Sequence, residues 1–123
     1  MHKAIGLDFG TTNSAIAMAT PDGTARLADF QAGEQRTTTC RSVLYFSPEN
    51  IGPGGKPYAI AGPQAIQSYL EADAEGRLIQ SMKSHVASRL FTHTTLFAFT
   101  FSIEELISVI IRALRKAAEE QFG

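Results

Sequence analysis

Ile5-Gly6-Leu7-Asp8-Phe9-Gly10-Thr11-Thr12-Asn13-Ser14 is the stretch on which the reading of this 123-residue chain turns. Ala4-Ile5-Gly6-Leu7-Asp8 is a short apolar run ending at an acid, and Ser14 to Ala19 resumes the pattern after a polar loop. Two strands joined by a tight turn are predicted. Such a turn gathers backbone N–H groups and two hydroxyls around one concavity where an anion can sit, and phosphate is the obvious guest. The hard carboxylate of Asp8 suits Mg²⁺, which prefers oxygen ligands and retains several waters. An isolated Gly-Thr-Thr has a plainer reading: Gly10 shapes a hairpin, Thr11 and Thr12 satisfy local backbone groups, and Asp8 is a turn residue.

Outward from this stretch, Pro21-Asp22-Gly23 supplies turn chemistry before a third strand near Ala25 to Phe30, completing an antiparallel meander. Gln31 to Thr39 is polar and reads as loop. Ser42-Val43-Leu44-Tyr45-Phe46 is rich in β-branched and aromatic residues and reads as a fourth strand. The Gly/Pro-rich Asn50 to Pro57 is an exposed turn, followed by a short strand at Tyr58 to Ala61. Gly62 to Ala72 and Leu78 to Leu90 carry apolar residues at helical spacing. Thr94 to Phe101 alternates as a strand with Phe97, Phe99 and Phe101 on one face. The last helix has a capping box, Ser102 with Glu105, and an apolar face of Ile103, Leu106, Ile107, Ile110, Leu114 and Ala117. Running to about Gln121, it would span roughly 28 Å.

Composition bounds the rest. A length of 123 residues fits one domain, and 44% hydrophobic with 19% charged residues describes a globular chain. A net charge of -1 gives no electrostatic reason to expect nucleic acid or an anionic membrane. The single Cys40 forms no internal disulfide and no zinc knuckle, which fits a reducing cytoplasm. Met1 to Gly10 lacks the pattern of a secretory signal, and the apolar tract Thr95 to Ile111 is broken by Glu104 and Glu105, so neither export nor a membrane span is expected.

The whole string Ile5 to Ser14 resembles the first phosphate motif of the actin-like ATPase superfamily, in particular the DnaK-type seventy-kilodalton heat-shock chaperones. Arg36-Thr37-Thr38 followed by Ser42 to Phe46 is similar to that family's Arg-Thr-Thr-Pro-Ser segment and its strand, and Ile60 to Ala65 to its Gly-x-x-Ala helix start. Met82-Lys83 falls where the family carries its catalytic lysine. The departures are Thr39 in place of Pro, the extra Cys40-Arg41, and Ser84 where an Arg usually follows the lysine.

The resemblance implies an α/β, ribonuclease H-like lobe: an antiparallel meander, then a mixed sheet with helices, forming residues 1–123 as an incomplete N-terminal piece of the first lobe. It implies ATP or ADP with Mg²⁺ as cofactors. Asp8 would hold the metal through water, Gly10, Thr11, Thr12 and Asn13 the phosphates, and Lys83 the attacking water. The family's catalytic glutamate, second phosphate motif and adenosine-binding segment have no counterpart in these 123 residues. The implied partners of the parent protein are the remaining ATPase lobe, a peptide-binding domain and cochaperones, with self-association through exposed apolar surface.

Two other functions stay open. A sugar or acyl-phosphate kinase lobe shares the Asp-x-Gly-Thr-Thr pattern, although the segment Arg36 to Phe46 and Lys83 speak against it. A non-catalytic interaction module would use the phenylalanine strand or the final helix. Gly52 to Pro57 is not a phosphate loop, because Asn50 and Pro57 occupy the positions that need Gly and Ser or Thr. His85 and His93 have no ligand-spaced partners, Glu104 and Glu105 serve the helix start, and Cys40 reads as a passive thiol.

Overall fold

The computed structural model describes residues 4–73, 75–80 and 93–123. Strands β1 (Ala4–Phe9) and β2 (Asn13–Ala19) form the expected hairpin, with Asp8 opposite Ala15 and Phe9 opposite Ser14. The turn after β2 is built as its residues suggest. Gly23 takes φ 88°, the Gly23 N–H donates to the Thr20 carbonyl, and the Asp22 carboxylate accepts from the Thr24 N–H at 2.9 Å and from the Thr20 hydroxyl. β3 (Ala25–Leu27) then returns along β2, and β6 (Cys40–Arg41) pairs with the start of β2.

Between them lies a hairpin where loop was expected: β4 (Phe30–Ala32) and β5 (Gln35–Thr37) pair antiparallel. Its sequence shows no hydrophobic alternation, and polar contacts hold it. Arg36 pairs with Asp29, and Gln121 clasps the Asp29 backbone, accepting from its N–H at 2.9 Å and donating to its carbonyl at 2.8 Å. The third expected strand is accordingly split, ending at Leu27 and restarting at Phe30.

β7 (Val43–Ile51) is the center of a second sheet, flanked by β8 (Pro57–Ala61) and β9 (Arg77–Gln80). A short 3-10 turn, Pro53–Gly55, joins β7 to β8. Helix α1 (Pro63–Glu71) starts at Pro63, whose fixed φ suits the first helical position. Leu78 to Gln80 is thus strand rather than the start of a helix: pairing with Val43 to Tyr45 overrides its helical spacing. The remainder of that expected helix, with Lys83 and His85, lies outside the described residues.

β10 (His93–Leu96) and β11 (Phe99–Ser102) form a hairpin instead of one strand, with Leu96 opposite Phe99. Phe97 and Ala98 make the corner at φ 51° and 70°. This two-residue turn usually recruits Asn-Gly, so nothing in the composition marks it. The three phenylalanines therefore do not share a face: Phe101 is buried, Phe99 half-buried and Phe97 sits exposed in the turn. All described pairings are antiparallel, so the sheets are not mixed in the expected sense. The strands flanking β7 on each side run against it, one through a tight turn and the other through α1.

Helix α2 (Ile103–Phe122) closes the molecule. Its capping box is formed: the Ser102 hydroxyl accepts from the Glu105 N–H at 3.1 Å, and the Ser102 N–H donates to the Glu105 carboxylate at 3.3 Å. Its buried stripe of Ile103, Leu106, Ile110, Leu114 and Ala118 packs with Ile16 of β2, Leu44 and Phe46 of β7, and Leu96 and Phe101 of the last hairpin. The opposite face of β7 puts Val43 and Tyr45 against Ala65, Ile66 and Tyr69 of α1. β7 is thus covered on both faces, which explains its unbroken apolar run. No described helix is long and apolar enough to cross a membrane.

Candidate functional site: the turn between β1 and β2

Strand β1 delivers Asp8 to the mouth of a turn whose back is fixed by buried polar groups. The Gly10 N–H donates to the Asn13 carbonyl at 3.0 Å, and a Cβ at Gly10 would lie 2.4 Å from that same oxygen. Only glycine leaves the turn undistorted. The Ser42 hydroxyl donates to the Gly10 carbonyl at 2.9 Å, and its oxygen lies 2.8 Å from the Ser14 hydroxyl. Because the Ser42 proton is committed to Gly10, the Ser14 hydroxyl must be the donor in that pair. The Ser42 N–H also donates to the Thr12 carbonyl at 2.9 Å.

Ser14 and Ser42 are 2% and 1% exposed, so this relay works away from water, where unmade bonds are costly. It ties the turn to the start of β7, across 28 to 32 residues of sequence. Ser42 is the residue whose role the sequence reading missed. A signal was present in Ser14, which falls in phase with the buried Ile16 and Met18 and so had to find a partner.

The front of the turn is the opposite. Asp8, Thr11, Thr12 and Asn13 are exposed, and their side chains make no hydrogen bond or ion pair among the described residues. The N–H groups of Thr11 and Thr12 donate to no carbonyl there either. Asp8, at the end of β1, and Gly10, Thr11, Thr12 and Asn13 thus lie on one turn, with the Thr11 and Thr12 amides unspent among the described residues. Toward Mg²⁺ the turn offers the single carboxylate of Asp8, and that metal is ordinarily held by one or two carboxylates together with substrate phosphates and retained waters. No cluster of three metal-ligating side chains exists among the described residues. Lys83 lies outside them.

Arg36, part of the segment that resembles the chaperone family, is engaged with Asp29 and Gln31 of its own hairpin and does not reach the turn. Cys40 is buried, and burial pushes its thiol up to about 11, so it stays protonated and inert at neutral pH.

No known family profile matches the chain. Along its whole length it is 24% identical, in an alignment of 134 residues, to the chaperone protein DnaK of Stenotrophomonas maltophilia (strain R551-3). The chain spans about a fifth of that relative's length, 21%, so the likeness is to one part of a chaperone.

Proposed function

We propose that residues 1–123 form the phosphate-binding part of a nucleotide site in a DnaK-like chaperone ATPase. The observation that carries this is the contrast within one turn: a back locked by the Ser14–Ser42–Gly10 relay, and a front of unpartnered donors beside a free carboxylate. A site that must receive an anion needs its donors preorganised and unspent. The likeness to DnaK supports the reading.

In this reading the Thr11 and Thr12 amides and hydroxyls, with Asn13, hold the β- and γ-phosphates of ATP or ADP. Asp8 accepts hydrogen bonds from water in the shell of Mg²⁺. Bound there, the metal would neutralise phosphate charge. Lys83 brings a mobile ammonium to the attacking water and the γ-phosphate. The turn supplies groups on one side of the phosphates only. This chain by itself therefore binds Mg-nucleotide weakly and hydrolyses it negligibly, since turnover needs preorganised groups on both sides. The rest of an ATPase domain, a peptide-binding domain and cochaperones would be the parent protein's partners, and the cytoplasm its compartment.

Isothermal titration with Mg-ATP tests the reading, with Asp8→Ala as control and circular dichroism to confirm that both proteins are folded. Saturable binding lost in the variant is the expected result. Equal heats from both proteins, or turnover by the chain alone at the rate of an intact ATPase, would overturn it.

A further inference from the structure

A cleft of about 650 Å³ lies away from the turn, between β8 and α2. Its floor is apolar, made by Phe46 and Phe101, whose rings sit 5.1 Å apart, with Ala59 and Ala61 of β8. Its far wall is one flank of α2, on which Glu105, Ser108, Val109, Arg112 and Lys116 follow at helical spacing. That flank runs roughly 16 Å along the axis. None of its residues is buried.

Two features indicate what fits. The first is backbone: β8 pairs only with β7 among the described residues, so its outer edge carries unspent main-chain groups. Pro57 blunts only its first position. The second is charge. The lining carries three cations, Lys56, Arg112 and Lys116, against the single carboxylate of Glu105, and Lys56 already pairs with that carboxylate at 3.1 Å. Arg112 has no carboxylate partner among the described residues; its guanidinium donates only to the Ser108 carbonyl. Lys116 stands 77% exposed, 4.0 Å from Glu120.

We propose that the cleft between the free edge of β8 and α2 is a docking site for an extended acidic peptide segment of a partner protein. The segment adds as a strand beside β8, sets alternate apolar side chains on the Phe46–Phe101 floor, and places carboxylates against Arg112 and Lys116. Strand addition takes its affinity from main-chain bonds and its specificity from pockets for alternate side chains. The five residues of β8 and the helix flank match about five residues of extended chain at ~3.3 Å each.

Fluorescence polarisation with a fluorescein-labelled, amidated Glu-Val-Glu-Val-Glu peptide, and the same peptide with Lys for Glu, tests this on the intact chain. The expected result is saturable binding of the acidic peptide alone, weakened at least tenfold by Arg112→Glu with Lys116→Glu. Both substitutions lie on exposed positions, and circular dichroism checks the fold. Amide exchange at residues 58–61 should slow on binding. Absence of binding, equal binding of the lysine peptide, unchanged affinity in the double variant, or protection confined elsewhere would each overturn the proposal.

Discussion

β1 and β7 carry sequences of the same kind and meet opposite fates. Val43, Leu44, Tyr45 and Phe46 are at most 2% exposed, gripped by α1 on one face and α2 on the other. Along β1, every residue from Ala4 to Asp8 is exposed, with Ile5 at 57% and Leu7 at 45%, and Leu27 two strands away is 51% exposed. β1 also forms a sheet edge among the described residues. An apolar strand that turns only its last side chain, Phe9, toward the core contributes little to the stability of its own chain. What β1 does contribute is position: it carries Asp8 to the mouth of the turn. One strand holds the fold and the other carries the carboxylate of the candidate site, and Ser42, at the foot of β7, ties β7 to the turn after β1 through its hydrogen bonds to Gly10 and Thr12.

The sharpest way to break this comparison is a matched pair of truncations. Phe46→Ala should cost about 3–5 kcal/mol, since it opens a cavity in the shared core, whereas Leu7→Ala should change stability by under about 0.5 kcal/mol. Urea midpoints read both, and comparable losses would mean that β1 is structural after all. Next in size is the link itself. Ser42→Ala removes the donor to Gly10 and strands the Ser14 hydroxyl, which should cost about 1–3 kcal/mol. It should also weaken Mg-nucleotide binding, with Asp8 untouched; a stability loss with unchanged titration heats would separate the relay from the site.

Two smaller effects sharpen the picture at α2. Ser102→Ala deletes the capping hydroxyl and should cost about 1 kcal/mol by thermal unfolding. At the same residue pair, the Lys56 ammonium, and then the Ser102 backbone hydrogen bond, hold the Glu105 carboxyl below its ordinary value. A depressed carboxyl stabilises the fold above its unfolded value of 4.5, and that stabilisation fades as the pH falls through the folded value. Both partners are about half exposed, so the effect should stay well under about 1 kcal/mol. Lys56→Met should narrow the stability difference between pH 6 and pH 3.

The parts of this fold that are legible in the sequence are those set by near neighbours. Gly10 with Thr11 and Thr12, Pro21 to Gly23, and Ser102 with Glu105 each act within four residues, and each was built where it was expected. The parts that were hidden depend on distant partners or on unmarked backbone. Leu78 to Gln80 became strand because β7 offered an open edge. The hairpin of β4 and β5 rests on Arg36, Asp29 and Gln121, a set drawn from both ends of the chain. Phe97 and Ala98 take a turn conformation that their side chains do not advertise. At the candidate site, the exposed front is a run of adjacent residues that the sequence displays directly, but its buried support is not, because Ser42 reaches Gly10 across 32 positions.

Cys40 gives the molecule a clock. It is the only cysteine in the chain, it is 1% exposed, and its sulfur occupies the space beside Gly62, where a Cβ would lie 2.7 Å from it. A thiol so enclosed reacts with an alkylating reagent only while the junction of β6 and the α1 start stands open. The pace of labelling in native buffer thus counts those openings one molecule at a time, with no introduced probe and no second cysteine to confuse the record.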